Sequence, residues 1–179
     1  MNVTEEFINC CSANVSDMDY KIPSATRIGH VHLKVGDIDR AVGFYHDLLG
    51  FEITQRYGTS AVFLSAGGYH HHIGLNTWYS KGTGPAPLHS AGLFHMAILY
   101  PARRDLAVVV KRLMDIAYPL TGAADHGVSQ AVYLNDPDGN GIELYWDRPG
   151  EDWPIDQDGN LLMGTEALDL AELLTELNN

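Results

Sequence analysis

Three side chains in this 179-residue sequence have the types, and the places along the chain, to hold a divalent metal ion: His30, His95 and Glu143. Two imidazoles and one carboxylate make a facial triad, which leaves further positions on an Fe(II) ion open for a substrate and O₂. His30 stands one residue before an alternating apolar series, Val31, Leu33 and Val35. His95 holds the corresponding place in a later stretch, so pairing the two stretches about a pseudo-twofold axis brings both imidazoles to one cleft. Glu143 lies between apolar neighbours in Gly141-Ile142-Glu143-Leu144-Tyr145-Trp146, where a carboxylate needs an open face or a bound partner. Taken singly, each residue reads as a satisfied core histidine or a solvated strand carboxylate. Equivalent placement within a duplication shifts the reading to a metal site built by strands of both halves around one cavity.

The elements that must position these residues repeat in order. In the first copy, Thr26 to Val35 alternates as a strand, with His30, His32 and Lys34 on one face. Gly36-Asp37 turns the chain and Asp37 serves as N-cap. Ala41, Val42, Phe44, Tyr45, Leu48 and Leu49 then recur at helical spacing until Gly50 ends the helix. Strands are expected around 51–57, 60–65 and 71–78. Residues 80–90, rich in Gly and Pro, read as a linker. The second copy opens at Leu93, continues with a helix near 104–114, and gives strands near 118–121, 129–135 and 141–146. The fold expected is α+β: paired βαβββ modules, at 26–80 and 90–149, forming a curved mixed sheet with a metal-bearing cup. Residues 1–25 are expected to be a partly flexible leader, and 150–179 a tail whose Leu170, Leu173, Leu174 and Leu177 make one helical stripe that docks on the body or on a neighbouring subunit.

Composition narrows the partners. A formal charge of −12, with 11 Lys and Arg in all, excludes the clustered basic surface that nucleic acid demands. No apolar run approaches the roughly 18 residues that span a bilayer, and acidic Glu5, Glu6 and Asp17 stand where an export signal would be greasy. A cytoplasmic protein whose partners are small molecules is expected. Cys10 and Cys11, the only cysteines, are adjacent and are read as reduced thiols.

His30-Val31-His32-Leu33-Lys34-Val35-Gly36-Asp37, then Phe44-Tyr45, Leu49-Gly50-Phe51 and Asp136-Pro137-Asp138-Gly139-Asn140-Gly141-Ile142-Glu143, together resemble the vicinal oxygen chelate superfamily over residues 26 to 149. The resemblance implies a metal held by His30, His95 and Glu143. Laying Ile73-Gly74-Leu75 over Ile142-Glu143-Leu144 puts Gly74 where glyoxalase I supplies a fourth ligand, unless His72 bends in to replace it. Three ligands fit the extradiol dioxygenases. His126-Gly127-Val128-Ser129 is similar to the stretch that places a histidine beside the catechol oxygens, and Tyr133 matches the tyrosine those enzymes keep behind the metal ligands. His70-His71-His72 stands where they keep an acid/base histidine; spacing favours His71, while alternation puts His72 on the face of Gly74. His32 is expected to pack or hydrogen-bond and not to ligate.

The same resemblance implies an extradiol-type dioxygenase, like the first half of the two-domain bacterial catechol 2,3-dioxygenases. It would use Fe(II) on a catechol-like aromatic substrate with O₂, and form a homodimer in place of the missing half. Two alternatives remain open: a glyoxalase-type isomerase or thiol-transferring resistance enzyme with Mn(II), Ni(II) or Zn(II), and a non-catalytic ligand-binding protein of the same fold.

Overall fold

Val31 and Leu33 turn inward and His32 and Lys34 outward along β1 (Val31–Lys34), the alternation of a strand covered on one side only. Asp37 caps the following helix, its carboxylate accepting from the Arg40 amide at 2.9 Å. Helix α1 (Ile38–Val42) widens into a π-helical turn, Gly43–Leu48, and closes at Gly50, whose φ of +90° suits glycine. β2 (Glu52–Tyr57), β3 (Ala61–Ser65) and β4 (Ile73–Asn76) complete the first module. The second repeats the order: β5 (Met96–Leu99), α2 (Arg103–Asp115), β6 (Leu120–Asp125), β7 (Ser129–Asn135) and β8 (Gly141–Asp147). The tail adds a short strand, β9 (Glu166–Ala167), and helix α3 (Leu170–Leu174). The computed structural model describes residues 20–178, so the cysteines and most of the expected leader lie outside the described residues.

The fold is α+β, with two open mixed sheets. Their orders are β1-β4-β3-β2 and β5-β8-β7-β6-β9, and in each the first strand runs parallel to its neighbour while the remaining pairs are antiparallel. The duplicated order read in the sequence is thus present as duplicated topology. β9 carries no run long enough to announce itself; its two rungs are Ala124 with Ala167 and Asp125 with Glu166.

Both modules share one apolar core. Leu33, Val35, Phe44, Leu64 and Leu75 from the first join Leu106, Val110, Leu134, Ile142 and Leu144 from the second, and Leu173 of the tail is fully buried among them. Truncating one of these leucines to alanine costs about 2–5 kcal/mol in well-packed interiors. Polar contacts fix how the modules meet. The Asp138 carboxylate accepts from the Gly36 amide and from the Arg40 guanidinium, both at 2.7 Å, and Tyr45 donates to Asp136 at 2.8 Å. Arg112 of α2 donates to the carbonyls of Asp47 and Leu48 at the end of the first helix. No helix among the described residues is long and apolar enough to cross a membrane.

Candidate metal centre

His95 lies just ahead of β5, and Glu143 points from β8, the parallel neighbour of β5. Gly141 lets the strands meet here: a β-carbon on it would stand 2.1 Å from the Phe94 carbonyl oxygen and 3.1 Å from the His95 β-carbon. The crossing sets His95 Nε2 3.0 Å from Glu143 Oε2. His95 Nδ1 is buried without a partner, so the polar contacts of the ring are confined to its Nε2 edge.

Behind the carboxylate runs a chain of hydrogen bonds. Tyr133, directly across from Glu143 on β7, donates to Oε1 at 3.0 Å. The same phenol oxygen is 2.8 Å from His126 Nε2. His126 Nδ1 in turn faces the Gly164 carbonyl at 2.8 Å. Burial first, and then the Glu143 carboxylate, push the Tyr133 phenol up to about 12, so it is a proton donor at neutral pH.

The first module contributes a histidine cluster. The His30 ring packs against His71, with centroids 4.4 Å apart, and lies 6.4 Å from His70. His70 and His71 bring their Nδ1 atoms to 2.7 Å, and Phe63 backs His71 at 5.0 Å. Desolvation, followed by the neighbouring His30 and His70, holds His71 below the ordinary imidazole range, so it is neutral at pH 7. His72 is engaged elsewhere: its Nδ1 accepts from the Ala66 amide at 3.3 Å and sits 3.0 Å from Ser65 Oγ. Its ring does not fill the space beside Gly74. That space belongs to His32, whose ring lies across Gly74 between Phe63 and Trp78. Burial and His30 lower the His32 pKa, which suits a packed neutral ring.

His30, His72 and His95 line one cavity of about 890 Å³, with Val31, Leu99 and Tyr145 among its other walls. The structure thus brings His95, Glu143, Tyr133 and His126 into one connected set and opens His30 to the same cavity. It does not close the triad: among the described residues no group of three or more His, Cys, Asp or Glu side chains converges closely enough to hold a metal ion. Phe94, beside His95, is 89% exposed. Sequence reasoning missed Asp136, Asp138 and Tyr45 as the contacts that fix the modules; two aspartates in the turn Asp136-Pro137-Asp138-Gly139 were the available signal, and both are buried. A second hollow of about 580 Å³ between α1 and α2 contains no imidazole among its lining residues.

Two βαβββ modules bordering one cavity, with His30 and His95 on its wall just ahead of β1 and β5 and Glu143 on β8, define a class of protein. The family model of the Glyoxalase/Bleomycin resistance protein/Dioxygenase superfamily matches residues 27–144, and the chain belongs to that superfamily. It is 37% identical over 152 residues to a catechol-2,3-dioxygenase of Bacillus subtilis (strain 168), covering 84% of this chain and 52% of that one. It is 28% identical over 122 residues to biphenyl-2,3-diol 1,2-dioxygenase 3 of Rhodococcus globerulus, covering 68% and 64%. The chain therefore spans between about half and two thirds of the length of these relatives. Among solved structures, a glyoxalase/dioxygenase from Nostoc punctiforme superposes with a TM-score of 0.58 at 15% identity, over 74% of this chain and 99% of that one. A lactoylglutathione lyase from Agrobacterium tumefaciens gives 0.54 at 23%, over 70% and 96%. At such identities these two speak for the fold.

Proposed function

We propose that the protein is an extradiol-type dioxygenase that cleaves the ring of a catechol-like aromatic substrate with O₂, using a divalent metal ion, Fe(II) in this reading, held by His30, His95 and Glu143. The observation that carries the proposal is the 3.0 Å between His95 Nε2 and Glu143 Oε2. Two ligands at right angles around an ion, each bonded at about 2.1 Å, stand about 3 Å apart. The donor set suits the ion, and with Nδ1 buried and partnerless, the Nε2 edge that faces Glu143 is the edge of His95 that would bind it. His30 opens on the same cavity but rests against His71, so the reading requires it to exchange that contact for the ion. The two named dioxygenase relatives support the reaction class.

Bound there, the ion would hold the vicinal oxygens of the substrate and O₂ together and pass electron density between them. The remaining work falls to the chain. Tyr133 and His126 form a hydrogen-bonded line away from Glu143, with Tyr133 orienting the carboxylate and the ring of the substrate, and His126 offering Nε2 to accept a proton. His71, neutral and in contact with His30, serves as the acid/base group; His72, on the cavity wall with its Nδ1 engaged, is the alternative. Apolar walls, Val31 and Leu99 among them, receive the aromatic ring and exclude water.

The proposal includes a homodimer. Ile28 at 92% and Phe94 at 89% exposure, beside the cavity, give a second copy apolar surface to cover. Sedimentation of the purified chain reads the oligomeric state directly.

The test of the function is elemental analysis of anaerobically purified protein, followed by oxygen uptake with a panel of catechols. Iron near one equivalent with oxygen uptake is expected. Protein that binds no divalent ion overturns the centre. Zn(II), Ni(II) or Mn(II) without oxygen uptake overturns the dioxygenase in favour of an isomerase or thiol transferase.

A further inference from the structure

His126 is gripped by a part of the chain outside both modules. Its Nδ1 faces the Gly164 carbonyl at 2.8 Å, its own carbonyl accepts from the Gly164 amide at 3.1 Å, and the Thr165 hydroxyl lies 3.5 Å from Nδ1. The tail also presses on the next residue: Gly127 has a φ of +79°, and a β-carbon there would meet Pro154 Cγ at 3.1 Å. Beyond Gly164 the segment is fastened at three levels. β9 pairs with β6; Leu168 and Leu173 enter the common core; Arg103 of α2 pairs with Glu172 and Glu176 of the tail.

A carbonyl oxygen only accepts, so the Gly164 contact requires the proton of a neutral His126 to sit on Nδ1. Nε2 then carries the lone pair, and it is Nε2 that meets the Tyr133 hydroxyl. The Tyr133 proton lies between two acceptors, His126 Nε2 and Glu143 Oε1. When His126 gains a second proton, the gain is at Nε2, and the phenol turns its hydrogen fully to Glu143. Which nitrogen of His126 can take up a proton on the site side is thus decided by a backbone carbonyl in the tail.

We propose that the tail is the positioning element of this site, and that Gly164, through its carbonyl, fixes His126 as the Nδ1–H tautomer with Nε2 presented to Tyr133 as a proton acceptor. The inference deepens the functional reading and rests on it for its consequence in turnover, while its test is independent of metal and substrate. Undocking the tail would free the ring to carry its proton on Nε2, in which form it can only donate to Tyr133.

The experiment reads the tautomer of His126 by ¹⁵N chemical shift in histidine-labelled, metal-free protein that keeps its tail, the signal being assigned by its loss in His126→Gln. His46 of the Gly43–Leu48 turn, whose Nδ1 faces the Phe51 carbonyl at 2.6 Å, is an internal reference for the same tautomer. Two variants release the tail: Leu173→Glu, which places a charge in the core, and Glu172→Gln/Glu176→Gln, which only weakens the surface pairing and keeps the fold should the first fail. Expected is Nδ1–H in the parent, with the Nδ1–H share of His126 falling at least about twofold in the variants while His46 is unchanged. An Nε2–H His126 in the parent overturns the proposal, as does an unchanged tautomer in a variant whose β9 amides exchange freely. Loss of oxygen uptake alone strikes the functional reading and leaves the tautomer assignment intact; a wrong tautomer leaves the metal and oxygen assays standing.

Discussion

The imidazole of His32 lies across Gly74, with Cγ and Cδ2 each 2.9 Å from the point a β-carbon on residue 74 would occupy. His32 and Gly74 are register partners on the parallel strands β1 and β4, so the contact is a consequence of the pairing. The place a side chain at residue 74 would occupy is therefore filled by a ring. Gly74→Ala is expected to push this ring out of its slot between Phe63 and Trp78, at a cost of about 1–3 kcal/mol for overpacking. Urea denaturation measures it, and His32→Ala in the same chain should remove most of the penalty.

Tyr133 touches Glu143 from behind, and partners in that position typically matter 10–100-fold for metal affinity or activity. Tyr133→Phe is expected to weaken metal binding or turnover by about that factor, with little change in fold, because the ring still packs. A metal titration of the variant beside the parent gives the number. An unchanged affinity and an unchanged rate would place Tyr133 outside the site.

The duplicated order of elements was legible because each strand that covers the core alternates and each helix announces its start or stop, as at Asp37 and Gly50. His30 and His95 were legible as equivalent points of that duplication and Glu143 as a carboxylate between apolar neighbours, and the approach of His95 to Glu143 is found. What could not be read was which way His30 turns. A residue just ahead of a strand has a ring direction set by whatever stands beside it, and the adjoining His70 and His71 come from a loop of another strand pair. The role of Gly164 was hidden for a related reason: it acts through a backbone carbonyl, which every residue carries.

Two tyrosines outside the proposed ligand set predict how the fold responds to base. Burial, with Asp105 nearby, pushes Tyr100 up to about 12, and burial, with Asp136 nearby, does the same for Tyr118. Both folded values exceed the ordinary value near 10. Their contribution to stability is therefore complete below pH 10 and is lost as pH rises through about 12. Denaturant midpoints should hold up to about pH 10 and fall above it, and Tyr100→Phe should flatten part of that fall. A midpoint in the variant that drops as steeply as the parent's would remove Tyr100 from the account.

The loop that aims β8 also locks the modules together, and it does so with two buried carboxylates. Asp136 accepts from the amides of Asp138 and Asn140 and from Tyr45, while Asp138 accepts from the Gly36 amide and Arg40. Removing one partner leaves a buried polar group unsatisfied, which costs about 1–3 kcal/mol. Tyr45→Phe and Asp138→Ala should each lose stability in that range, and because they act on one turn the double variant should depart from additivity by about 0.5 kcal/mol or more. The consequence reaches the site, since the same loop leads through Gly141 into the strand that carries Glu143. Asp138→Ala is therefore expected to loosen metal binding as well as the fold, although Asp138 touches no member of the triad. Parallel urea and metal titrations check it: a variant that loses stability while binding the ion as tightly as the parent would show that the loop serves the modules alone.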